Sequence, residues 1–425
     1  MRISGDLFLG IDIGTSGVRA TVIDALGNTL AWRRQDFIGL NPPGEQDPQT
    51  WWDALDAVLT DLAGEGFGSQ IAAIGLDATS GTVLAIDTDN APLAPALMYN
   101  NTQASEEAAR VAAVAPRQSA AHGASSGLAK RLYLHTQIPN AECVSQADWI
   151  LRQLGAEKGH SDHHNMLKWG WDPITRSWPD WLTELNNDTA SLPQVHAPGT
   201  PIAHIDAQRA ARFDLNPDCL LCAATTDSNA AFIATGAHQL GDAVTSLGST
   251  LVTKVLSARP VFAPQFGVYS HLVGDLWLVG GSSNTGGAVL KQHFCPGEIQ
   301  ALSLRVNPQR RTNLDYYPLP GIGERFPIND PDLMPRLSPR PDDDLTFFQG
   351  MLEGIARIEQ RAYRLLEQLG APYPRCVRSA GGGAHNKPWA DIRQQMLGVP
   401  MHTADQEEAA YGSALLAANA IINRA

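Results

Sequence analysis

Two aspartates stand where an apolar strand would end, a position that suits a ligand site better than a protein core. Asp12 follows the apolar stretch 7–11 and precedes Gly14-Thr15-Ser16-Gly17, and Asp227 follows the apolar stretch 219–224. An unpaired buried carboxylate is costly, so each Asp needs a partner. Such a carboxylate can hold magnesium through water, or accept a proton from an attacking hydroxyl group. Taken alone, either Asp could instead be a capping or salt-bridged residue.

Two turns rich in glycine and hydroxyl residues could bind phosphate. Gly14-Thr15-Ser16-Gly17 and Gly248-Ser249-Thr250 each follow an apolar strand, and such turns can direct backbone N–H groups toward phosphate oxygens. Either one alone is an ordinary β-turn by default. Occurring together with a nearby carboxylate, they favour a polyphosphate ligand. A further strand, 71–76, ends in Asp77-Ala78-Thr79-Ser80-Gly81, and strand ends are where α/β proteins place ligands.

Other catalytic patterns are absent or lack their context. No Gly-x-x-x-x-Gly-Lys-Ser/Thr motif occurs, which argues against a P-loop nucleoside triphosphatase. The stretch 123–127 matches Gly-x-Ser-x-Gly, but no strand precedes it as a hydrolase elbow requires, so we treat the match as coincidence. Asp162-His163-His164 lacks further ligands at metal-binding spacing and is interpreted as a polar loop.

The pattern of apolar residues predicts an α/β fold built twice. Residues 7–35 alternate as an antiparallel three-stranded meander, and Asp47-Pro48 begins a helix. The stretch 241–254 repeats the order strand, turn, strand. We therefore expect two related α/β lobes with a ligand cleft between them and a boundary near residue 230. Residues 300–345, rich in Pro and Arg, are expected to be an extended surface excursion.

Composition narrows the functional class. The chain has 425 residues and a formal net charge of -13, which argues against a nucleic-acid partner. The five cysteines are odd in number and scattered, which indicates free thiols in a reducing compartment. No signal peptide or membrane-spanning stretch is evident, so we expect a cytoplasmic protein without a membrane partner.

Four motifs in order resemble the FGGY family of carbohydrate kinases, within the sugar kinase, Hsp70 and actin superfamily. The stretch 9–16 is similar to the family's first phosphate motif and 246–250 to its second. Thr225-Thr226-Asp227-Ser228 is similar to the segment with its catalytic Asp, and 379–386 to its adenosine motif. The resemblance covers nearly the whole chain.

Two sugar-binding motifs differ from those of the family. Asp77-Ala78-Thr79-Ser80-Gly81 replaces the usual Gln-x-His-Gly, and the stretch 98–103 replaces Trp-x-Asp-x-Arg. In these stretches, and in 146–149, 162–165 and 314–320, the chain resembles a compact subgroup, the short D-ribulose kinases of cyanobacteria and plants.

The resemblance implies the fold and the activity. It implies two ribonuclease-H-like lobes of the actin and hexokinase type. Residues 1–230 would form the sugar-binding lobe and residues 231–425 the nucleotide-binding lobe. An alternative is that the last helix, about 408–425, packs back on the sugar-binding lobe. It implies ATP-dependent phosphorylation of the terminal hydroxyl of D-ribulose to D-ribulose 5-phosphate, with ATP and Mg²⁺ as cofactors.

It also implies the site residues. Asp227 would be the base, Asp12 and Thr15 would assist transfer, and Asp12 would hold magnesium through water. Asp12, Ser80 and Asp227 would bind the sugar. The residues implied to bind ATP are Gly14, Thr15, Ser16, Gly248, Ser249, Thr250, Gly381, Gly382, Gly383 and Asn386.

Two alternatives stay open. The first is the same chemistry on another pentulose or a polyol, such as D-xylulose. The second is an actin- or Hsp70-like nucleotide-switched binding protein, which predicts slow hydrolysis that no sugar stimulates. The partners expected are a sugar and ATP, and the protein is expected to be a monomer or a homodimer.

Overall fold

A computed structural model describes residues 6–39, 42–185 and 191–422. The chain divides into two compact units by its internal contacts. Unit 1 comprises residues 1–234 and 408–425, and unit 2 comprises residues 235–407.

The strands are short to medium in length and are numbered along the chain. They are β1 (Leu7–Ile13), β2 (Gly17–Ile23), β3 (Thr29–Asp36), β4 (Glu45–Gln46), β5 (Ile71–Ala78), β6 (Val83–Ile86), β7 (Ala96–Leu97), β8 (Glu142–Ser145), β9 (His160–Asp162), β10 (Gln194–His196), β11 (Pro201–His204), β12 (Leu220–Cys222), β13 (Thr225–Thr226), β14 (Asp242–Leu247), β15 (Leu251–Ser257), β16 (Tyr269–Val273), β17 (Leu276–Ser283), β18 (Cys376–Ala380) and β19 (Met401–Thr403).

The α-helices are numbered in the same way. They are α1 (Pro48–Ala63), α2 (Ser105–Val114), α3 (Gly127–Gln137), α4 (Gln146–Leu154), α5 (His163–Met166), α6 (Ala207–Arg212), α7 (Asp227–Ala234), α8 (Gly287–Lys291), α9 (Pro296–Ser303), α10 (Asp344–Gln368), α11 (Lys387–Leu397) and α12 (Ala409–Ile422). Single turns of 3-10 helix occur at Gly68–Gln70, Leu167–Trp169, Asp180–Leu185 and Pro264–Phe266.

The main sheet of unit 1 has the strand order β11-β12-β5-β1-β2-β3, with β13 beside β5. Strands β1, β2 and β3 form the predicted antiparallel meander, and β5 runs parallel to β1. One face of this sheet packs against α1, whose N-terminus is capped by the Asp47 carboxylate as predicted. The other face packs against α12, and a Cβ on Gly10 would overlap the backbone of Ala410. This close approach requires a glycine in β1.

The main sheet of unit 2 has the order β16-β17-β15-β14-β18-β19. Strands β14 and β15 form an antiparallel hairpin, and β18 runs parallel to β14. Each unit thus joins a hairpin to a parallel strand from later in the chain, which confirms the predicted repetition. The long helix α10 is capped by Asp343 and buries an apolar stripe in the unit 2 core.

The prediction of a surface excursion at 300–345 is wrong for the middle of that segment. Tyr316, Tyr317 and Leu319 are buried in the same hydrophobic cluster as α10, and Phe326 is buried beneath β17. The segment contains little regular structure, and its content of proline and arginine is typical of a loop. Its aromatic residues nevertheless form part of the core.

The five cysteines, all of which lie in the described ranges, form no disulfide bond, in agreement with the expectation of thiols. Among the described residues, no helix combines the length and the apolar character that a membrane span requires.

Candidate functional site

Three carboxyl groups converge at one edge of the unit 1 sheet. Parallel pairing of β1 with β5 sets Asp12 opposite Asp77, and pairing of β13 with β5 sets Thr225 opposite Asp77. Asp227 follows two residues later as the first residue of α7. Its charge raises the pKa of both other carboxyl groups, which places it close to them. Asp12 and Asp227, both predicted site residues, therefore lie together, with Asp77 beside them.

Asp12 has a specific cationic partner. The residue is 5% exposed, and its Oδ2 accepts a hydrogen bond from Arg19 Nη1 at 2.9 Å. The hairpin register makes this pair, because Asp12 lies opposite Arg19 in the β1–β2 ladder. Burial nevertheless raises the pKa of Asp12, and the arginine only partly offsets that increase. The strand-end aspartate is thus a buried acid with partial compensation.

Asp77 is buried more completely than Asp12, and burial favours its protonated form. Its Oδ2 accepts a hydrogen bond from Ser413 Oγ of α12 at 2.6 Å. Burial and the neighbouring charge of Asp12 raise the pKa of Asp77 well above its ordinary value. The carboxyl group of Asp77 therefore keeps its proton to a higher pH than a free aspartate, and its interaction with the Asp12 side chain lowers the pKa of Asp12.

Hydrogen bonds within the turn and from Gln46 fix the backbone of the first predicted phosphate turn. Gly14 N donates to Gly17 O at 3.0 Å, which closes the turn. Gln46 Nε2 donates to Thr15 O at 2.8 Å, and Trp51 Nε1 donates to Gln46 Oε1 at 2.7 Å. The side chains of Thr15 and Ser16 are exposed. The turn thus presents two hydroxyl residues to solvent on a fixed backbone.

The turn between β5 and β6 contains Ser80, which was predicted to bind sugar. The Ser80 hydroxyl is buried and has no hydrogen-bond partner among the described residues. Gln146 Oε1 accepts hydrogen bonds from the backbone and the hydroxyl group of Thr79, which fixes the start of the turn. A buried hydroxyl left without a partner is uncommon in a folded protein and is consistent with a site that completes its hydrogen bonding with a ligand.

Asp227 is held through the residues that precede it. Thr225 Oγ1 lies 2.6 Å from His164 Nδ1, and Thr225 O accepts a hydrogen bond from Asn165 Nδ2 at 3.2 Å. Asp162 caps α5 by accepting bonds from the amides of His164 and Asn165. These buried residues form a hydrogen-bonded support. They lie in β9 and α5, so the prediction of a polar loop is wrong, because the segment is packed inside the unit. Within the described ranges, no cluster of three or more His, Cys, Asp or Glu side chains could hold a metal ion by itself.

The glycine-rich residues of unit 2 line a separate cavity of about 650 Å³. Of the residues predicted to bind ATP, the lining includes Gly248, Ser249, Gly382, Gly383 and Asn386. Gly381 and Thr250 are outside the lining, and Gly14, Thr15 and Ser16 belong to unit 1. The structure thus brings half of the predicted set into one cavity.

The cavity has a backbone floor and an apolar wall. Gly248 O accepts the amide of Gly287 at 2.8 Å, and a Cβ on Gly287 would lie 2.8 Å from the same oxygen. A Cβ on Gly382 would meet no atom within 4 Å, so this glycine faces open space. Leu290, Ile299 and Leu304 supply apolar lining. A flat heterocycle against such a wall, with its phosphates near glycine backbone, would suit this cavity.

Asn386 is committed to the protein itself. Its Oδ1 caps α11 by accepting the amide of Trp389 at 3.1 Å, and its Nδ2 donates to Ser303 Oγ at 2.8 Å. The side chain thus shapes the cavity wall by joining α11 to α9.

Several residues of the site were not found from the sequence. Arg19 could have been identified by counting across the predicted hairpin, because a four-residue turn pairs it with Asp12. Asp77 lies in a quoted motif, but nothing in the sequence indicates that it is buried against Asp12. Gln46, His164 and Ser413 are distant in sequence and become visible only in the folded chain.

Comparisons with known proteins agree with the motifs. The N-terminal domain of the FGGY family of carbohydrate kinases matches residues 7–124, and its C-terminal domain matches residues 243–421. A xylulose kinase of Lactococcus lactis is 24% identical over 92% of this chain and 82% of its own length. A xylulose kinase of Escherichia coli is 23% identical over 92% of this chain and 86% of its own length.

A solved structure matches the fold. The ligand-bound xylulose kinase of Lactobacillus acidophilus has a TM-score of 0.85 and is 18% identical, over 98% of this chain and 90% of its own. At that identity the likeness concerns the fold alone. It agrees with the predicted fold class of two ribonuclease-H-like α/β units.

Proposed function

Because the chain belongs to the FGGY family of carbohydrate kinases, we propose that this ATP-dependent sugar kinase phosphorylates the terminal hydroxyl of a ketopentose. The observation that carries the proposal is the convergence of Asp12, Asp77 and Asp227 at one sheet edge, with Ser80 on the turn that follows Asp77. Such a cluster suits removal of a proton from a sugar hydroxyl beside a phosphoryl donor.

Asp227 is the proposed base. It lies at the first residue of α7, half-buried, and its Oδ1 accepts the amide of Ser228 at 2.7 Å. As the sugar oxygen bonds to the γ-phosphorus and the bond to the leaving diphosphate breaks, the Asp227 carboxylate takes the proton of that hydroxyl. The support from His164 to Thr225 limits the movement of the segment that contains the base.

Asp12 and Thr15 are the proposed assisting residues. The Asp12 carboxylate can orient the sugar hydroxyl and hold the water shell of a magnesium ion, as hard oxygen ligands do. The donor set fits a magnesium ion that keeps most of its water, because burial of Asp77 disfavours its ionised form and no group of three or more ligating side chains occurs in the described residues. Thr15 would donate its hydroxyl or amide to a phosphate oxygen.

Kinases of this family use ATP with Mg²⁺. ATP supplies the phosphoryl group, and Mg²⁺ offsets the charge on the phosphate oxygens. The unit 2 cavity fits a nucleoside, because Gly382 leaves open space and the opposite wall is apolar. We propose that Gly248, Ser249, Thr250, Gly381, Gly382 and Gly383 contact the nucleotide through their backbone and that Asn386 shapes its wall. Gly14 and Ser16 are the proposed phosphate contacts of unit 1.

Two ketopentoses are candidates. The relatives described above are named for xylulose, which favours D-xylulose. The turn with Thr79-Ser80-Gly81 in place of Gln-x-His-Gly favours D-ribulose, through the resemblance to the short D-ribulose kinases. The two sugars differ in the stereochemistry of one hydroxyl group, and the residues of that turn would contact it.

The test is ADP release measured with D-xylulose, D-ribulose, glycerol, gluconate and no sugar, with the product identified by mass and by the position of its phosphate. We expect a ketopentose to give the largest kcat/KM and a 5-phosphate to form. Preference for glycerol or gluconate would contradict the ketopentose proposal. ADP release that no sugar stimulates would support a nucleotide-switched binding protein instead.

A further inference from the structure

Two lysines bind the backbone of the turn that contains Ser80. Lys168 Nζ donates to Ser80 O at 3.3 Å. Lys130 Nζ donates to Gly81 O at 2.8 Å and to Met98 O at 2.5 Å. Lys130 thereby joins this turn to the segment that begins with Met98. The two segments that differ from the family's sugar motifs are thus connected through one ammonium group.

Neither ammonium has a carboxylate partner within the described ranges of the chain, since no Asp or Glu oxygen there lies within 4 Å of Lys130 or Lys168. Lys130 is fully buried, and burial, with a smaller contribution from the charge of Lys168, lowers its pKa to about 7. A cation without a counter-ion raises the free energy of the folded chain. Two of them at one turn are therefore difficult to explain by stability alone.

The two lysines differ in what remains available to a ligand. Lys130 is buried and uses two of its three donors on carbonyl groups. Lys168 is only half-buried, and its one hydrogen-bond partner in the described part of the chain is Ser80 O. An ammonium has three donors, so Lys168 keeps two of them. The hydroxyl group of Ser80 itself has no hydrogen-bond partner among the described residues.

Two contacts link the segment of Lys168 to the segments that contain the proposed reacting groups. It follows His164 by four residues, and the His164 ring contacts Thr225, which precedes Asp227 by two. Its ammonium contacts Ser80, which follows Asp77 by three residues. Lys168 is therefore connected on one side to the proposed base and on the other to the proposed sugar-binding turn.

We propose that Lys168 is a substrate-binding residue that donates hydrogen bonds to an oxygen of the bound ketose and so determines which sugar the turn accepts. The ammonium can only donate, and its target is therefore a hydroxyl or carbonyl oxygen acting as acceptor. Lys130 holds the turn in place from behind. This inference rests on the proposed ketopentose kinase activity.

The experiment compares KM values for the sugar and for ATP in Lys168→Met and in Lys158→Met, an exposed lysine of the same unit that serves as control. A hydrogen bond from a charged donor contributes about tenfold or more to binding. We expect Lys168→Met to raise the KM for the preferred ketopentose by about that factor. The KM for ATP and the melting temperature should stay at the wild-type values, and Lys168→Arg should retain most of the sugar affinity.

The results separate the two proposals. If wild-type enzyme phosphorylates a ketopentose and Lys168→Met keeps its sugar KM, the assignment of Lys168 is overturned while the activity stands. If the variant weakens sugar and ATP equally and melts at a lower temperature, Lys168 only supports the fold and the assignment is also overturned. If the wild type prefers another sugar, the ketopentose proposal fails, and the same comparison on that sugar decides the role of Lys168.

Discussion

The opening hairpins of the two units share a backbone plan but differ in what they bury. In unit 1, Asp12 lies opposite Asp77 of the parallel strand. At the corresponding place in unit 2, Ser246 lies opposite Ala380. Unit 1 thus has acids where unit 2 has small neutral residues. At this position unit 1 has side chains that can gain or lose a proton, whereas unit 2 has only backbone, methyl and hydroxyl groups.

The charged side chains in the interior of the two units differ in the same way. In unit 2, Arg393 donates to both oxygens of Glu359 at 2.6 and 2.7 Å, and Thr245 donates to Glu359 as well. In unit 1, the described part of the chain gives no carboxylate partner to Lys130 or Lys168, and Arg19 compensates Asp12 only in part. Compensated charge stabilises a fold, whereas uncompensated charge at a sheet edge is available for a substrate.

The largest expected effect is the loss of the base. Asp227→Asn should lower kcat by about a hundredfold to ten-thousandfold, the range of a general base, with the KM for ATP close to that of wild type. Coupled ADP-release kinetics with the preferred sugar measure it. Asp218→Asn removes an exposed carboxylate of the same unit and should leave kcat unchanged. Near-normal turnover by Asp227→Asn would refute its role as the base and leave the acids of unit 1 without the proposed use.

A second effect concerns stability in unit 2. Arg393→Met leaves the Glu359 carboxylate buried without its cation, which should cost about 3–5 kcal/mol in the free energy of unfolding. Urea denaturation measures it. The double variant Glu359→Met with Arg393→Met should recover much of that loss, because the uncompensated charge is gone. If the single variant is as stable as the wild type, the unit 2 pair is not the stabilising element that the comparison requires.

The smallest expected effect is a pH dependence in unit 1. Lys130 has a pKa of about 7 in the folded protein against an ordinary value of 10.5, so unfolding takes up a proton between these values. The folded state favours the neutral amine of Lys130, so its contribution to the free energy of unfolding is complete above pH 10.5. That contribution is lost as the pH falls through 7. The wild-type free energy of unfolding should therefore rise with pH, relative to Lys130→Met, by about 1 kcal/mol per pH unit from 7 to 10.

Denaturant titrations of both proteins at several pH values provide the comparison. Parallel stability curves would show that Lys130 titrates at an ordinary pKa, and the buried charge would then need a partner that the described residues do not supply.

Local pattern was sufficient for several of the secondary-structure elements. Alternating apolar residues gave the three-stranded meander, and Asp47-Pro48 gave the start of α1, because these signals act over a few residues. The two turns and the two aspartates were identified from composition at strand ends. The segment 300–345 was misjudged because proline and arginine are typical of loops, while its aromatic residues are buried by contacts with α10.

The sequence by itself determined which residue types stand at the strand ends, and hence that a carboxylate and phosphate-binding turns were available. The tertiary structure alone decided the state of those groups. The pKa of Asp77 is raised because α12, more than three hundred residues later, buries it beside Asp12, and the hydrogen bond that Ser413 donates offsets only part of that increase. The charge of a group depends on its solvation and its neighbours in space, and these arise only when distant segments pack together.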